Sequence, residues 1–215
     1  ASDVYKRQPG SSVVDLEEAC QALGLQLPES QLALLRRYLD LLVQWNRRLD
    51  LVAPAAPDEL LRAHVLDSLL LLAMVQPPEG GAVADVGSGA GLPGVVWAVA
   101  RPDLQVLLLE PRRKRAAFLE RVALELKLAN VQVEPVRAEQ AAANPQYARR
   151  FHVVVARAVA GPHRFLRLAG GLVRPGGVVA VPVGPDTEIR PPFREVSRPV
   201  PWEPGRTRRV AVAVA

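Results

Sequence analysis

The sequence predicts an α/β protein with a mostly parallel sheet, covered by helices on both faces and preceded by a helical extension. Three observations carry this. From residue 82 onward, short apolar runs of strand length alternate with stretches of helical periodicity. In one chain that alternation means parallel strands joined by crossover helices. Before residue 80 the apolar residues recur only at helical spacing. Between the two regions lies Val83-Ala84-Asp85-Val86-Gly87-Ser88-Gly89-Ala90-Gly91-Leu92-Pro93-Gly94, an apolar strand entering four glycines and then a helical pattern.

Residues 1–9 match no element and are set aside as a non-native or disordered tail. Residues 10–80 form the helical extension and residues 81–215 the sheet domain, expected to make one compact unit. Ser12 is the expected N-cap of a first helix, with Asp15 three residues on and Gly24 as its stop. Ser30 begins a longer helix, because Leu32, Leu35, Leu39, Leu42, Trp45 and Leu49 recur at spacings of three and four. A third helix starts near Pro57 and Asp58 and runs to Val75. The predicted strands are 82–86, 104–109, 131–136, 152–156 and 178–183, with helices over 92–100, 112–128 and 162–173. Residues 194–202 and 207–215 follow with no helix between them and a turn at Glu203-Pro204-Gly205. They read as an antiparallel pair closing the sheet. Seven strands, one of them antiparallel to the rest, suit the Rossmann-like class I methyltransferase fold better than a dehydrogenase.

The composition, 49% hydrophobic and 23% charged, supports a sizeable core. The uncharged run from Ser68 to Pro78 is too short to span a bilayer. No apolar signal segment occurs in the first twenty residues, so a cytoplasmic protein is expected; a monomer is expected as well. The single Cys20 excludes an internal disulfide, and it shares no ligand spacing with His64, His152 or His163, so no metal is expected. The net charge of +5 is uneven: residues 1–80 carry −4, residues 81–160 +4 and residues 161–215 +5. A positive field on the glycine-loop region suits a polyanion such as RNA. A general preference for arginine over lysine explains it equally well.

Glycines after a strand let the backbone turn sharply and approach a ligand. Read from Gly89 the loop is G-x-G-x-x-G, the dinucleotide pattern; read from Gly87, where the strand ends, it is G-x-G-x-G with Leu92 in place of a glycine. In a dinucleotide site the first glycine follows the strand directly, which disfavours a dinucleotide here. Asp85 argues the same way. Its carboxylate repels a pyrophosphate but suits a ligand bearing an amino group and a sulfonium, and S-adenosylmethionine carries both. Glu110 ends the next apolar run, placed to accept hydrogen bonds from two ribose hydroxyls.

Further pieces occur in a fixed order over roughly residues 30 to 184. They are Trp45-Asn46, His64-Val65-Leu66-Asp67-Ser68-Leu69, the loop from Asp85 to Gly94, Lys114-Arg115 with Phe118-Leu119, Leu128-Ala129-Asn130-Val131, Arg137-Ala138-Glu139 and Ala156-Arg157-Ala158-Val159-Ala160. In this set the chain resembles the ribosomal small-subunit RNA guanine-N7 methyltransferase family (RsmG, also called GidB). The resemblance implies methyl transfer from S-adenosylmethionine to N7 of a guanine in 16S ribosomal RNA, with that RNA or the small ribosomal subunit as partner. It implies that Gly87, Ser88, Gly89, Gly91 and Leu92 carry the methionine and ribose part of the cofactor. Glu110 would take the ribose hydroxyls, and Ala138 and Glu139 the adenine. An ordinary helix start with an acid in its first turn explains Ala138-Glu139 as well.

Arg157 ends a strand, so it faces cofactor or substrate in the crevice at the carboxyl ends, or makes a surface ion pair; with the resemblance it is placed among the cofactor-binding residues. Arg112 to Arg115 form a basic run at a helix start, where cations oppose the helix dipole. An external anion accounts for it, as does a solvated face. Arg113 and Arg115 are therefore candidate RNA contacts, with Asn46, His64 and Asp67 as substrate-side candidates; His64, Asp67 and Ser68 share one face of the third helix and are equally explained by a helix–sheet packing contact. Arg206, Arg208 and Arg209 could extend the RNA surface. Guanine N7 has an in-plane lone pair, so no catalytic base is assigned. The family commonly has a lysine-glycine pair where this chain has Val183-Gly184, and Pro185 to Pro192 replaces an expected helix. The rival readings are a small-molecule methyltransferase, an RNA-binding or assembly factor without catalysis and, last, a nicotinamide dehydrogenase.

Overall fold

The computed structural model describes residues 15–53, 56–157 and 161–215. The expectations for residues 1–9 and for Ser12 lie outside them. In chain order the elements are α1 (Leu16–Ala22), α2 (Glu29–Leu49), α3 (Pro57–Leu60), a π-helical stretch (Leu61–Leu66), α4 (Asp67–Val75), β1 (Ala82–Val86), α5 (Gly94–Ala100), β2 (Gln105–Leu109), α6 (Arg113–Glu125), β3 (Val131–Glu134), α7 (Ala138–Ala143), β4 (Phe151–Val155), α8 (Pro162–Ala169), β5 (Val173–Val183), β6 (Arg194–Pro199) and β7 (Thr207–Val214).

The seven strands form one sheet in the order β3-β2-β1-β4-β5-β7-β6. Strands β1 to β5 pair in parallel, and β7 runs antiparallel to both neighbours. This is the Rossmann-like arrangement expected, and the last two strands form the expected antiparallel pair at the end of the sheet, with β7 inserted between β5 and β6.

Strand alternation splits the core in two. On one face Val83, Val106, Leu108, Val153, Val155, Val210 and Val212 pack with Leu35, Leu42, Leu69 and Trp97. The N-terminal helices therefore share one buried cluster with the sheet. On the other face Ala84, Val86, Leu107, Leu109, Val154, Val179 and Val181 pack with Phe165 and Ala169 of α8 and Ala138 and Ala141 of α7.

Local chemistry explains most boundaries. Asp15 caps α1, accepting from the Glu17 and Glu18 amides at 2.8 and 3.3 Å. The expected helix over 57–75 is interrupted by the π-helical stretch, one wide turn inside an otherwise α-helical run. Helix α5 starts at Gly94 rather than Leu92 because the glycine loop continues to Pro93. Strand β5 starts at Val173, five residues before the expected Val178. Its first residues include Pro175, Gly176 and Gly177, and the register against β4 shifts between Phe151 and Val153 to absorb them.

Candidate active site

The site is built where β1 and β2 end. The amides of Gly87 and Ser88 both donate to the Leu109 carbonyl, at 2.8 and 3.1 Å, so the loop folds over the end of β2. Gly87, Gly89 and Gly91 all have positive φ. Two of them show different needs. A Cβ on Gly87 would meet nothing within 4 Å, so its backbone is open to a ligand. A Cβ on Gly91 would lie 2.4 Å from Val95 Cγ2, so that glycine is required by packing.

Two carboxylates frame the loop. Glu110 is 4% exposed. Its Oε2 accepts from the Gly89 amide and its Oε1 from the Arg112 amide, both at 2.9 Å. Asp85 is fully buried, and its Oδ2 accepts from the Gly94 amide at 2.9 Å. Its Oδ1 has no hydrogen-bond partner among the described residues. Burial pushes the Asp85 carboxyl up to about 7. The Gly94 amide, Ser88 and the Arg157 charge act against that rise, and Glu110 adds to it. A buried carboxyl oxygen without a donor, beside an open glycine backbone, fits a ligand that brings a cation or an N–H group.

The N-terminal helices support this loop from behind. Tyr38 of α2 is buried, and its hydroxyl donates to the Ala90 carbonyl at 2.7 Å. Arg115 of α6 donates to the Asp50 carbonyl at 3.0 Å, and its Nη1 would lie 3.6 Å from a Cβ on Gly89. The indole of Trp97 in α5 donates to the Ser68 carbonyl at 2.8 Å. Tyr38 was missed in the sequence because its spacing within α2 marks only an apolar position.

The remaining candidates separate into four groups. Ala138, buried, and Glu139, exposed, open α7 just beyond β3, and Ala138 shares a buried cluster with Val86 and Leu109. Arg113 is exposed in the first turn of α6. Asn46 is spent locally: its Oδ1 accepts from the Leu51 and Val52 amides, and its Nδ2 donates to the Val52 carbonyl. This closes the chain after Asp50, which sits in the left-handed region at φ 48.

His64, Asp67 and Arg157 do meet. Arg157 Nη2 donates to the Ala63 carbonyl at 3.0 Å, lies 3.3 Å from His64 Nδ1 and lies 3.5 Å from Asp67 Oδ2. Arg208 of β7 joins them, its Nη2 2.8 Å from the same Asp67 oxygen. The C-terminal arginines are thus not a plain exposed surface. Arg209 is held by Glu195 and by the carbonyls of Gly184, Pro185 and Thr187. Arg206 pairs with Glu203.

A cavity of about 540 Å³, lined by Gln105, Asn130, Gln132, Tyr147 and Arg150 among others, opens at the opposite end of the strands. It lies at their amino ends, whereas ligands of parallel α/β sheets bind at the carboxyl ends. No three His, Cys, Asp or Glu side chains among the described residues are grouped to hold a metal ion. No described helix is long and apolar enough to cross a membrane.

The model of the GidB family, rRNA small subunit methyltransferase G, matches residues 31–189. This chain belongs to that family. Its match runs from within α2 through β5 and so includes the glycine loop, Glu110, Glu139 and Arg157. The ribosomal RNA small subunit methyltransferase G of Nitrosospira multiformis is 43% identical over 162 residues, covering 75% of this chain and 71% of its own. That of Burkholderia lata is 39% identical over 176 residues, covering 81% and 77%. Among solved structures, a SAM dependent methyltransferase from Aquifex aeolicus has a TM-score of 0.53 at 16% identity, covering 73% of this chain and 92% of that one. A mutant of MtNAS has a TM-score of 0.55 at 19% identity, covering 94% and 83%. These two carry the fold alone. Arg208 and β7 fall outside the GidB match, so the contact between Arg208 and Asp67 links the family region to residues beyond it.

Proposed function

We propose that this chain methylates N7 of a guanine in small-subunit ribosomal RNA, using S-adenosylmethionine. The observation that carries it is the pair of buried carboxylates around an open glycine loop, inside a chain of the GidB family. Bound S-adenosylmethionine would supply an electrophilic methyl group on a sulfonium. Gly87 to Leu92 would hold its methionine and ribose part. Asp85 would neighbour its cationic groups, Glu110 would accept from its ribose hydroxyls, and Ala138 with Glu139 would receive the adenine.

Chemistry at N7 sets the rest. The nitrogen already has an in-plane lone pair, so no side chain needs to remove a proton before attack. The protein's work is alignment, exclusion of water and charge placement. Two features support that division. The loop is braced from behind by Tyr38, and the crevice rim carries Arg157 fixed by Ala63 and Asp67. A guanine inside folded RNA must also be exposed, at a cost of a few kcal/mol. The basic first turn of α6, with Arg113 exposed, is the proposed outer contact for that RNA.

The test is transfer of labelled methyl to small ribosomal subunits from a strain lacking the modification. The expected result is label on one guanine N7, lost in Glu139→Ala and Arg157→Ala. Cofactor binding without any label on the subunit would move the substrate to a small molecule or leave an assembly factor.

A further inference from the structure

The methyl-transfer reading uses Arg157 on the crevice rim but gives no task to Arg208, which meets it at Asp67. Arg157 follows β4, Arg208 lies on β7, and β5 runs between those two strands. Alternation places both arginines on the face of the N-terminal helices, because Val155 and Val210 belong to that face's core. There they converge on one carboxylate. Asp67 Oδ2 is 2.8 Å from Arg208 Nη2 and 3.5 Å from Arg157 Nη2. The three side chains are only 17%, 18% and 12% exposed, in the order Arg208, Arg157, Asp67.

In direct contact, two guanidinium groups share one carboxylate where little water reaches, and the next carboxyl on which the Arg157 charge acts is that of Asp85. Burial pulls the Arg208 pKa down, and Arg157 and Arg206 add to the pull while Asp67 resists it. Two donors are also left over. Arg157 Nη1 and Arg208 Nε are buried without a hydrogen-bond partner among the described residues. Buried charge and buried donors of this kind are costly unless an anion completes them. Arg208 spends Nη2 on Asp67 and Arg157 spends Nη2 on the Ala63 carbonyl, with Asp67 3.5 Å away, so Arg208 Nε and Arg157 Nη1 are left for an incoming oxyanion.

We propose that Arg157 and Arg208, held by Asp67, form a subsite for one oxyanion, a backbone phosphate of the RNA strand that carries the target guanine. The inference rests on the RNA reading above. The same chemistry would suit the carboxylate of the cofactor's methionine, but position favours RNA. The glycine loop and Glu110 lie over β1 and β2, whereas the two arginines flank β5, on the other side of β4. The subsite lies on the carboxyl-end side of the sheet, near enough for the Arg157 charge to act on Asp85, and so borders the crevice from the substrate side.

The experiment compares wild type with Arg208→Gln in two titrations. One is binding to unmodified small ribosomal subunits over a range of salt concentrations; the other is S-adenosylmethionine binding by calorimetry. The expected result is weaker subunit binding, with the slope of log affinity against log salt reduced by about 0.7 to 1, the share of one phosphate contact. Cofactor affinity should stay within about twofold, since the cofactor's hydroxyls and cation meet other groups. An unchanged salt slope overturns the proposal. A loss of cofactor affinity with the slope unchanged overturns the phosphate source and assigns the oxyanion to the cofactor. Wild type that binds no subunit at any salt overturns the RNA reading itself, and the phosphate source with it. Inorganic phosphate against chloride at equal ionic strength is the third arm. It should raise the melting temperature of wild type and not of Arg208→Gln; an equal rise in both overturns the pair as the oxyanion site. If Arg208→Gln does not fold, Arg208→Lys keeps the charge and loses the fork. It should then keep the salt slope while binding subunits severalfold more weakly, and wild-type affinity in that variant overturns the proposal.

Discussion

The glycine loop and the Asp67 cluster sit at the same end of the sheet and are assembled in opposite ways. The loop is local: its longest carboxylate contact, Gly89 to Glu110, spans 21 positions. The cluster is remote: Arg208 reaches Asp67 across 141 positions, and Arg157 reaches Ala63 across 94. A local site depends on backbone conformation, so glycine and strand order announce it. A remote site depends on topology, so nothing near Arg208 in the chain announces Asp67. The first should fail through lost ligand affinity and the second through lost stability.

The sharpest way to break that contrast is Asp67→Ala. It leaves two mostly buried arginines on no carboxylate, which should cost about 3–5 kcal/mol. For a chain of this size, thermal melting should show a drop of about 6–20 °C. A melt unchanged from wild type would make the cluster as dispensable as an exposed ion pair.

Glu110→Ala probes the local side. It removes the acceptor of two backbone amides and of the proposed ribose hydroxyls. Hydrogen bonds to a charged group contribute about 1.5–3 kcal/mol, so calorimetry should show roughly 10- to 150-fold weaker S-adenosylmethionine binding. A melting curve shifted as far as that of Asp67→Ala would erase the distinction between the two sites.

Asp85 adds a pH test. Its folded pKa, about 7, lies above the ordinary 3.8, so the folded state binds the proton more tightly. The stability from this group is full below about pH 4 and is lost as pH rises through about 7. Asp85→Asn should therefore melt higher than wild type at pH 8, by about 1–3 kcal/mol, and the two should converge near pH 4. The same variant should bind the cofactor more weakly, because the ionised carboxylate is what a sulfonium and an ammonium favour. A variant less stable than wild type at pH 8 would show that the ionised form is well paired in the fold.

The smallest effect belongs to Tyr38→Phe, which removes one buried hydrogen bond to the glycine loop. About 1 kcal/mol is expected, split between stability and a severalfold rise in the cofactor dissociation constant. Unchanged cofactor affinity would confine Tyr38 to packing.

These contrasts also account for what could be read in advance. Strands β1 to β4, the loop and Glu110 were legible because strand periodicity and glycine spacing are local signals. The start of β5 was not, since Pro175-Gly176-Gly177 carries every mark of a turn and is accommodated only through a register shift against β4. The π-helical stretch was hidden because one wide turn barely disturbs the apolar spacing of residues 57–75. Asn46 shows a local role that its motif did not announce. Its place in a motif suggested substrate, while its side chain closes the turn after α2. Arg208 was noticed only as one more surface cation, because its partner is fixed by the placement of β7 beside β5.

That placement has a consequence for how the molecule is made. Residues 194–199 leave the ribosome before residues 207–214, yet β6 is attached to the sheet only through β7. A growing chain can stack its five parallel strands, and with them the glycine loop, while β6 still waits for a neighbour. Asp67 waits as well, meeting Arg157 but not Arg208 until β7 slides between β5 and β6. Nascent chains halted before residue 208 should therefore already carry the cofactor loop and still lack the latch that ties the helical extension to the last strand.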